Sequence, residues 1–98
     1  MKQVDNIEFY EDYAVVKVDP RIFSLDIVFM AAYVMVDRAY VFVTGDPNVE
    51  SRVQIRSFDK EKLEEVAREF NNQLLNYAVY DIQSRRTADL RKILLARQ

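Results

Sequence analysis

One stretch constrains this chain more than any other: from Leu25 to Val36, every residue except Asp26 is apolar. Ser24 just before it is a good helix N-cap, and Asp26 falls in the first turn, where negative charge is favoured. Phe23 and Val28 are spaced for a hydrophobic staple. The stretch therefore reads as a helix from Ser24 to about Val36 or Asp37. Its uninterrupted apolar run, Ile27 to Val36, is about half of the ~20 residues a membrane span needs. A helix without a polar face must be covered on most sides. A small sheet covers only one side, so this helix needs a C-terminal helix or a second subunit over the rest.

The sequence before the helix supplies β-type runs. Ile7-Glu8-Phe9-Tyr10 and Tyr13 to Val18 are rich in β-branched and aromatic residues, with Glu11-Asp12 as the turn of a hairpin. Asp19-Pro20 ends the second run, because proline cannot donate to a ladder and restricts its predecessor. After the helix, Tyr40-Val41-Phe42-Val43-Thr44 reads as a strand that is apolar on both faces, hence a central one. Gly45-Asp46-Pro47-Asn48 is a turn signal. Arg52 to Arg56 then alternates, with Val53 and Ile55 inward, and pairs with the preceding strand.

Asp59 is placed to cap a long helix. Leu63, Val66, Ala67, Phe70, Leu74, Tyr77 and Ala78 form one stripe at helical spacing, with Glu61, Glu64, Glu65, Arg68 and Glu69 facing out. Val79, Ile82, Leu90, Ile93 and Leu94 lie well over 100° from the centre of that stripe, at about 100° per residue. One straight helix cannot present both stripes to one core. Either it breaks near Arg86-Thr87, where Thr87 can recap a short final helix, or the late stripe serves a partner surface.

The expectation is one α+β domain over residues 1–98, in the order β-β-α-β-β-α. It consists of a small, mostly antiparallel sheet with helices packed on one face. Open sheet edges, such as that of the first hairpin, are places where a peptide can add a strand.

Several function classes drop out by residue type. There is no cysteine, which removes disulfides, zinc ribbons, iron–sulfur ligation and thiol nucleophiles. There is no histidine, the commonest general base and transition-metal ligand. A single glycine cannot build a phosphate loop or a dinucleotide fingerprint. No catalytic residue, cofactor or metal is expected. The acidic group Glu8, Glu11, Asp12 and Asp19 reads first as a solvated edge, with a magnesium-binding or catalytic role as the lesser reading. Tyr40 and Phe42 read first as core, with base stacking as the alternative. No basic residue interleaves with them in sequence, so a nucleic-acid partner is disfavoured. Met1 to Asp5 contains no apolar signal core, and a cytoplasmic protein is expected.

Charge is unevenly placed. Residues 1–50 carry four basic and nine acidic side chains, and residues 51–98 carry ten and seven. The basic end, Arg85, Arg86, Arg91, Lys92 and Arg97, reads first as cations complementing a helix dipole and otherwise as a contact for an acidic partner. Asn71 sits at the flank of the apolar stripe, so its amide is expected to bond to backbone at a strand or loop end. Asp37-Arg38 closes the apolar helix, and an ion pair from Arg38 to a nearby acid is expected.

The residues Ala31-Ala32-Tyr33, Asp37-Arg38 and Tyr40-Val41 resemble the middle of the small HxsD proteins of His-Xaa-Ser peptide systems. Glu69 to Leu75, then Ile82, Thr87, Leu90-Arg91 and Ile93 to Arg97, are similar to the C-terminal pattern of that family. The resemblance covers the chain from about Val18 to its end. It implies an accessory protein that accompanies radical-SAM enzymes and a repeat-bearing peptide, with Tyr33, Asp37, Arg38, Phe70, Asn71, Leu74 and Thr87 as structural motif residues. The expected function is a non-catalytic module recognising a peptide or enzyme partner, with Val79, Ile82, Arg86, Leu90, Arg91, Ile93 and Leu94 as the interface. A homo-oligomeric structural protein and a nucleic-acid regulator using the basic end are the alternatives.

Overall fold

A computed structural model describes residues 1–96, with side chains through Arg86. Five strands and two helices follow one another as β1 (Lys2–Val4), β2 (Ile7–Phe9), β3 (Ala14–Val18), α1 (Leu25–Val34), β4 (Ala39–Asp46), β5 (Glu50–Ser57) and α2 (Leu63–Ala96). The fold is α+β, and every strand pairing is antiparallel. The sheet order is β1-β2-β3-β5-β4. Both helices lie on one face.

The hairpins and the first helix form where the sequence places them. Tyr10 N–H donates to the Tyr13 carbonyl at 2.8 Å to close the β2–β3 turn, and the two tyrosine rings stack across it at 4.7 Å. The Ser24 side chain accepts from Ile27 N–H and caps α1. That helix ends at Val34, two residues before the apolar run does, with Met35 as its C-cap. Asp46 turns the chain between β4 and β5 by accepting from Asn48 N–H through its carboxylate. Gly45 takes φ 111° there, and a Cβ on it would lie 2.3 Å from the Glu50 carbonyl oxygen, so the only glycine stands where no side chain fits.

The core is the sandwich of these layers. Ile7, Phe9, Ala14, Val16, Val18, Val53 and Ile55 supply the sheet's inner face. Ile27, Val28, Ala31, Ala32 and Met35 come from α1, and Leu63, Val66, Ala67, Phe70 and Leu74 from α2. Tyr77 and Ala78 are the last residues of α2 packed against it. The helix stripe read from sequence is therefore the core-facing one, buried from Leu63 to Leu74 and half-buried at Tyr77 and Ala78.

Five expectations need correction. The apolar strand is not central: β4 is bonded to β5 on one side only and forms an edge. Its aromatics are not core, since Tyr40 and Phe42 stand exposed on the face of the sheet that carries no helix. No short final helix forms, because α2 continues unbroken through Arg86 and Thr87 to Ala96. Asp59 caps a 3-10 turn at Lys60–Lys62 that leads into α2, accepting from Glu61 N–H. The first hairpin presents no free edge, because β1 covers β2. With only three residues and one apolar side chain, β1 has no alternation for a pattern to detect.

Candidate interaction surfaces

Carboxylates are the most plentiful groups here for acid–base or cation chemistry, and those described are dispersed. Glu8 bonds to Lys17 at 3.2 Å, and Asp12 to Lys60 at 3.1 Å and Arg56 at 3.9 Å. Asp19 takes two bonds from the Arg21 guanidinium and one from Arg21 N–H. The Arg21 side-chain hydrogen bond leads in holding the Asp19 carboxyl below its ordinary pKa. Among the described residues, no three acidic side chains converge on a point that could hold a metal ion.

The motif residues separate into two groups. Phe70 and Leu74 are buried at the centre of the core. Arg38 reaches from the end of α1 to the Glu69 carboxylate on α2, and its guanidinium also touches Asp37 at 3.5 Å and the Met35 sulfur at 3.5 Å. Asn71 is half-buried, as its place beside the stripe requires, but its partner is a side chain and not backbone. Asn71 Nδ2 donates to Asn6 Oδ1 at 2.8 Å, and Asn6 Nδ2 donates back to Asn71 Oδ1 at 3.0 Å. The Asn6 amide also donates to the Lys17 carbonyl at 2.9 Å. These contacts tie α1 and the β1–β2 turn to α2. Tyr33 and Asp37, by contrast, are exposed.

Beyond the core, two apolar surfaces remain. The first is on α2. Leu75, Val79 and Ile82 are exposed and fall within an arc of about 60° at about 100° per residue. Arg85 and Arg86 follow, with Arg85 bonded to Asp81 at 3.1 Å. From Val79 to Ala96 the helix runs on for about 27 Å at ~1.5 Å per residue, and the molecule extends 60 Å along its longest axis against 27 and 19 Å across it. Of the interface read from sequence, Val79, Ile82 and Arg86 are thus together and exposed. The side chains of Leu90, Arg91, Ile93, Leu94 and Thr87 lie outside the described residues.

The second surface surrounds β4; the sequence pointed to its α1 part, which needed cover, but not to its exposed strand. Phe29 and Tyr33 on α1, and Val36 just past its end, are exposed. Phe29 lines a hollow of ≈ 150 Å³ together with Leu25, Val43 and Gly45. On the other side of the sheet stand Tyr40 and Phe42, with the Tyr40 ring edge-on to Phe58 at 4.9 Å. Arg56 and Arg52 lie opposite Tyr40 and Thr44 in the ladder, so cations do neighbour these aromatics in space. Each is already paired with an acid, Arg56 with Asp12 and Arg52 with Glu50 at 3.0 Å. The signal for this surface was the double-sided apolar pattern of Tyr40 to Val43.

None of the described helices is long and apolar enough to cross a membrane. No curated protein and no solved structure matches the chain. A family model, His-Xaa-Ser system protein HxsD, matches residues 18–97, which takes in α1, the β4–β5 hairpin and all of α2. The chain belongs to the HxsD family, the accessory proteins of the His-Xaa-Ser system.

Proposed function

We propose that this protein is a non-catalytic accessory module that recognises an enzyme or peptide partner of the His-Xaa-Ser system through the second half of α2. The observation that carries the reading is the exposed stripe Leu75, Val79 and Ile82, which lies past or beside the last core contacts of its own helix. A helix that leaves its sheet with an apolar stripe intact is the helix-in-groove mode of recognition, read at positions i, i+4 and i+7. Arg85 and Arg86 extend the stripe with positive charge, so the fitting partner offers an apolar groove with an acidic rim. The absence of histidine and cysteine, together with the dispersed carboxylates, supports a binding role over catalysis. The co-encoded radical-SAM enzymes and their repeat-bearing peptide are the partners implied by the family setting.

Titration calorimetry of the full chain against each of these partners tests the reading. Binding is expected to one of them, and the double variant Val79→Glu with Ile82→Glu is expected to weaken it at least about tenfold, or ~1.4 kcal/mol. Its melting temperature should stay unchanged, because both residues are exposed. No binding at high micromolar concentration, or binding that the double variant leaves intact, would overturn the assignment.

A further inference from the structure

An eight-residue edge strand is an invitation that folded proteins normally withdraw. They shorten the edge, place lysine or proline on it, twist it with a bulge, or cover it. The opposite edge of this sheet, β1, is three residues long, in keeping with that habit. β4 uses none of these devices. Its register with β5 is continuous from Ala39 opposite Ser57 to Asp46 opposite Glu50, and no residue from Ala39 to Gly45 is charged or a proline. The outer face bears Tyr40, 69 % exposed, and Phe42, 64 % exposed.

Two features of the sequence stay unexplained by the single chain. The strand Tyr40 to Val43 is apolar and uncharged, yet its outer edge has no neighbour. The helix α1 is apolar all round, and α2 covers only one of its flanks. Both shortfalls meet on one side of the molecule, where Phe29 of α1 lines a hollow with Val43 and Gly45 of β4. One added strand with a helix beside it would meet both.

We infer that β4 pairs antiparallel with β4 of a second copy of this chain about a two-fold axis, joining two five-stranded sheets into one of ten strands with the two α1 flanks in contact. A second copy fits this slot for three reasons. The slot is apolar on both sides of the sheet, and β4 is itself a segment that is uncharged, apolar on both faces and of matching length. Antiparallel self-pairing sets no like charges opposite each other, because the only acid of the strand, Asp46, comes to lie against the opposite, uncharged end of its copy. The α1 flank adds apolar area. Phe29, Tyr33 and Val36 expose roughly 350 Å² per protomer, at about 200 Å² for a fully exposed large side chain. The eight-residue edge backbone and the flanks of Tyr40 and Phe42 add to that, towards the roughly 800 Å² per partner of a standard interface. The contact is isologous and closes on itself, the commonest form of soluble assembly. It is independent of the α2 reading, since α1 lies between α2 and the β4 edge.

Light scattering coupled to size exclusion tests this on the full chain. The expected mass is twice the 11.6 kDa of one chain. Phe42→Lys and Tyr33→Glu, one on each side of the sheet and both at exposed positions, should each return the mass to that of one chain with an unchanged circular dichroism spectrum. A second measurement exploits the lack of cysteine. Among single-cysteine variants at Val41, Phe42, Val43 and Thr44, one or two adjacent positions should form a disulfide-linked dimer under mild oxidation, whereas Tyr80→Cys should not. A wild-type monomer at 100 µM would overturn the inference, as would a dimer that survives both substitutions. So would a monomer that takes up an extended segment of another protein along β4.

Discussion

At the residue scale, the cross-link between Asn6 and Asn71 joins the first turn of the sheet to the first third of the last helix. Two neutral amides exchange two hydrogen bonds, each worth about 0.5–1.5 kcal/mol net, in a half-buried place where neither amide is left short. Asn71→Ala should therefore destabilise the fold by about 1–2 kcal/mol, and Asn6→Ala by somewhat more, because it also releases the Lys17 carbonyl. The double variant should cost less than the sum of the two, with a coupling energy of about 0.5–3 kcal/mol in denaturant melts. Coupling near zero would mean that the pair contributes nothing beyond what water supplies. The position of Asn71 at the flank of the stripe was legible in the sequence, because helical spacing fixes which way a side chain faces. Its partner was not legible. Spacing carries no information about which residue 65 positions away comes to meet it. Arg38 shows the same division: a pairing was foreseeable from its place at a helix end, whereas Glu69 as the acid was not.

At the scale of the element, periodicity located four of the five strands and both helices, and it separated the buried stripe of α2 from its solvent face. What it did not supply was neighbourhood. The pattern of β4 says that both of its faces are apolar, and nothing in it says which strands, if any, stand at its edges. The continuity of α2 was left open for a related reason. Two stripes on one helix require either a break or a second surface, and the helix stays whole with Val79 and Ile82 of its second stripe exposed. This has a consequence for local stability. Amides from Val66 to Leu74 are backed by buried side chains and should open only with the whole domain, while those from Val79 to Arg86 have exposed side chains on every side but that of Asp81. Hydrogen exchange by mass spectrometry should show the latter exchanging at least about tenfold faster in the free protein. Addition of the partner should slow that segment specifically. Equal protection of both halves in the free chain would show that the second half already has cover.

At the scale of the whole molecule, the two surfaces point to different occupants and do not compete. The β4 edge and the α1 flank form one side of the domain, α2 packs on β3 and β5, and its exposed stripe starts at Leu75, beside the core contacts of Tyr77 and Ala78. A two-fold axis through β4 would therefore place two α2 arms away from the axis, each carrying Leu75, Val79 and Ile82. That geometry fixes a stoichiometry. The complex with the enzyme or peptide partner should contain two copies of this chain and two of the partner, measurable by native mass spectrometry. The two sets of substitutions should then come apart. Phe42→Lys should give a one-to-one complex with an affinity per site within about threefold of the parent, a difference under ~1 kcal/mol, because the arm is untouched. Val79→Glu with Ile82→Glu should leave the dimer whole and empty of partner. If Phe42→Lys abolished partner binding as well, the partner would have to span both protomers or lie along β4 itself, and the arm would no longer be the site. If the wild-type complex were one-to-one throughout, the ten-stranded sheet would fail while the arm survived, so each surface can be lost without taking the other with it.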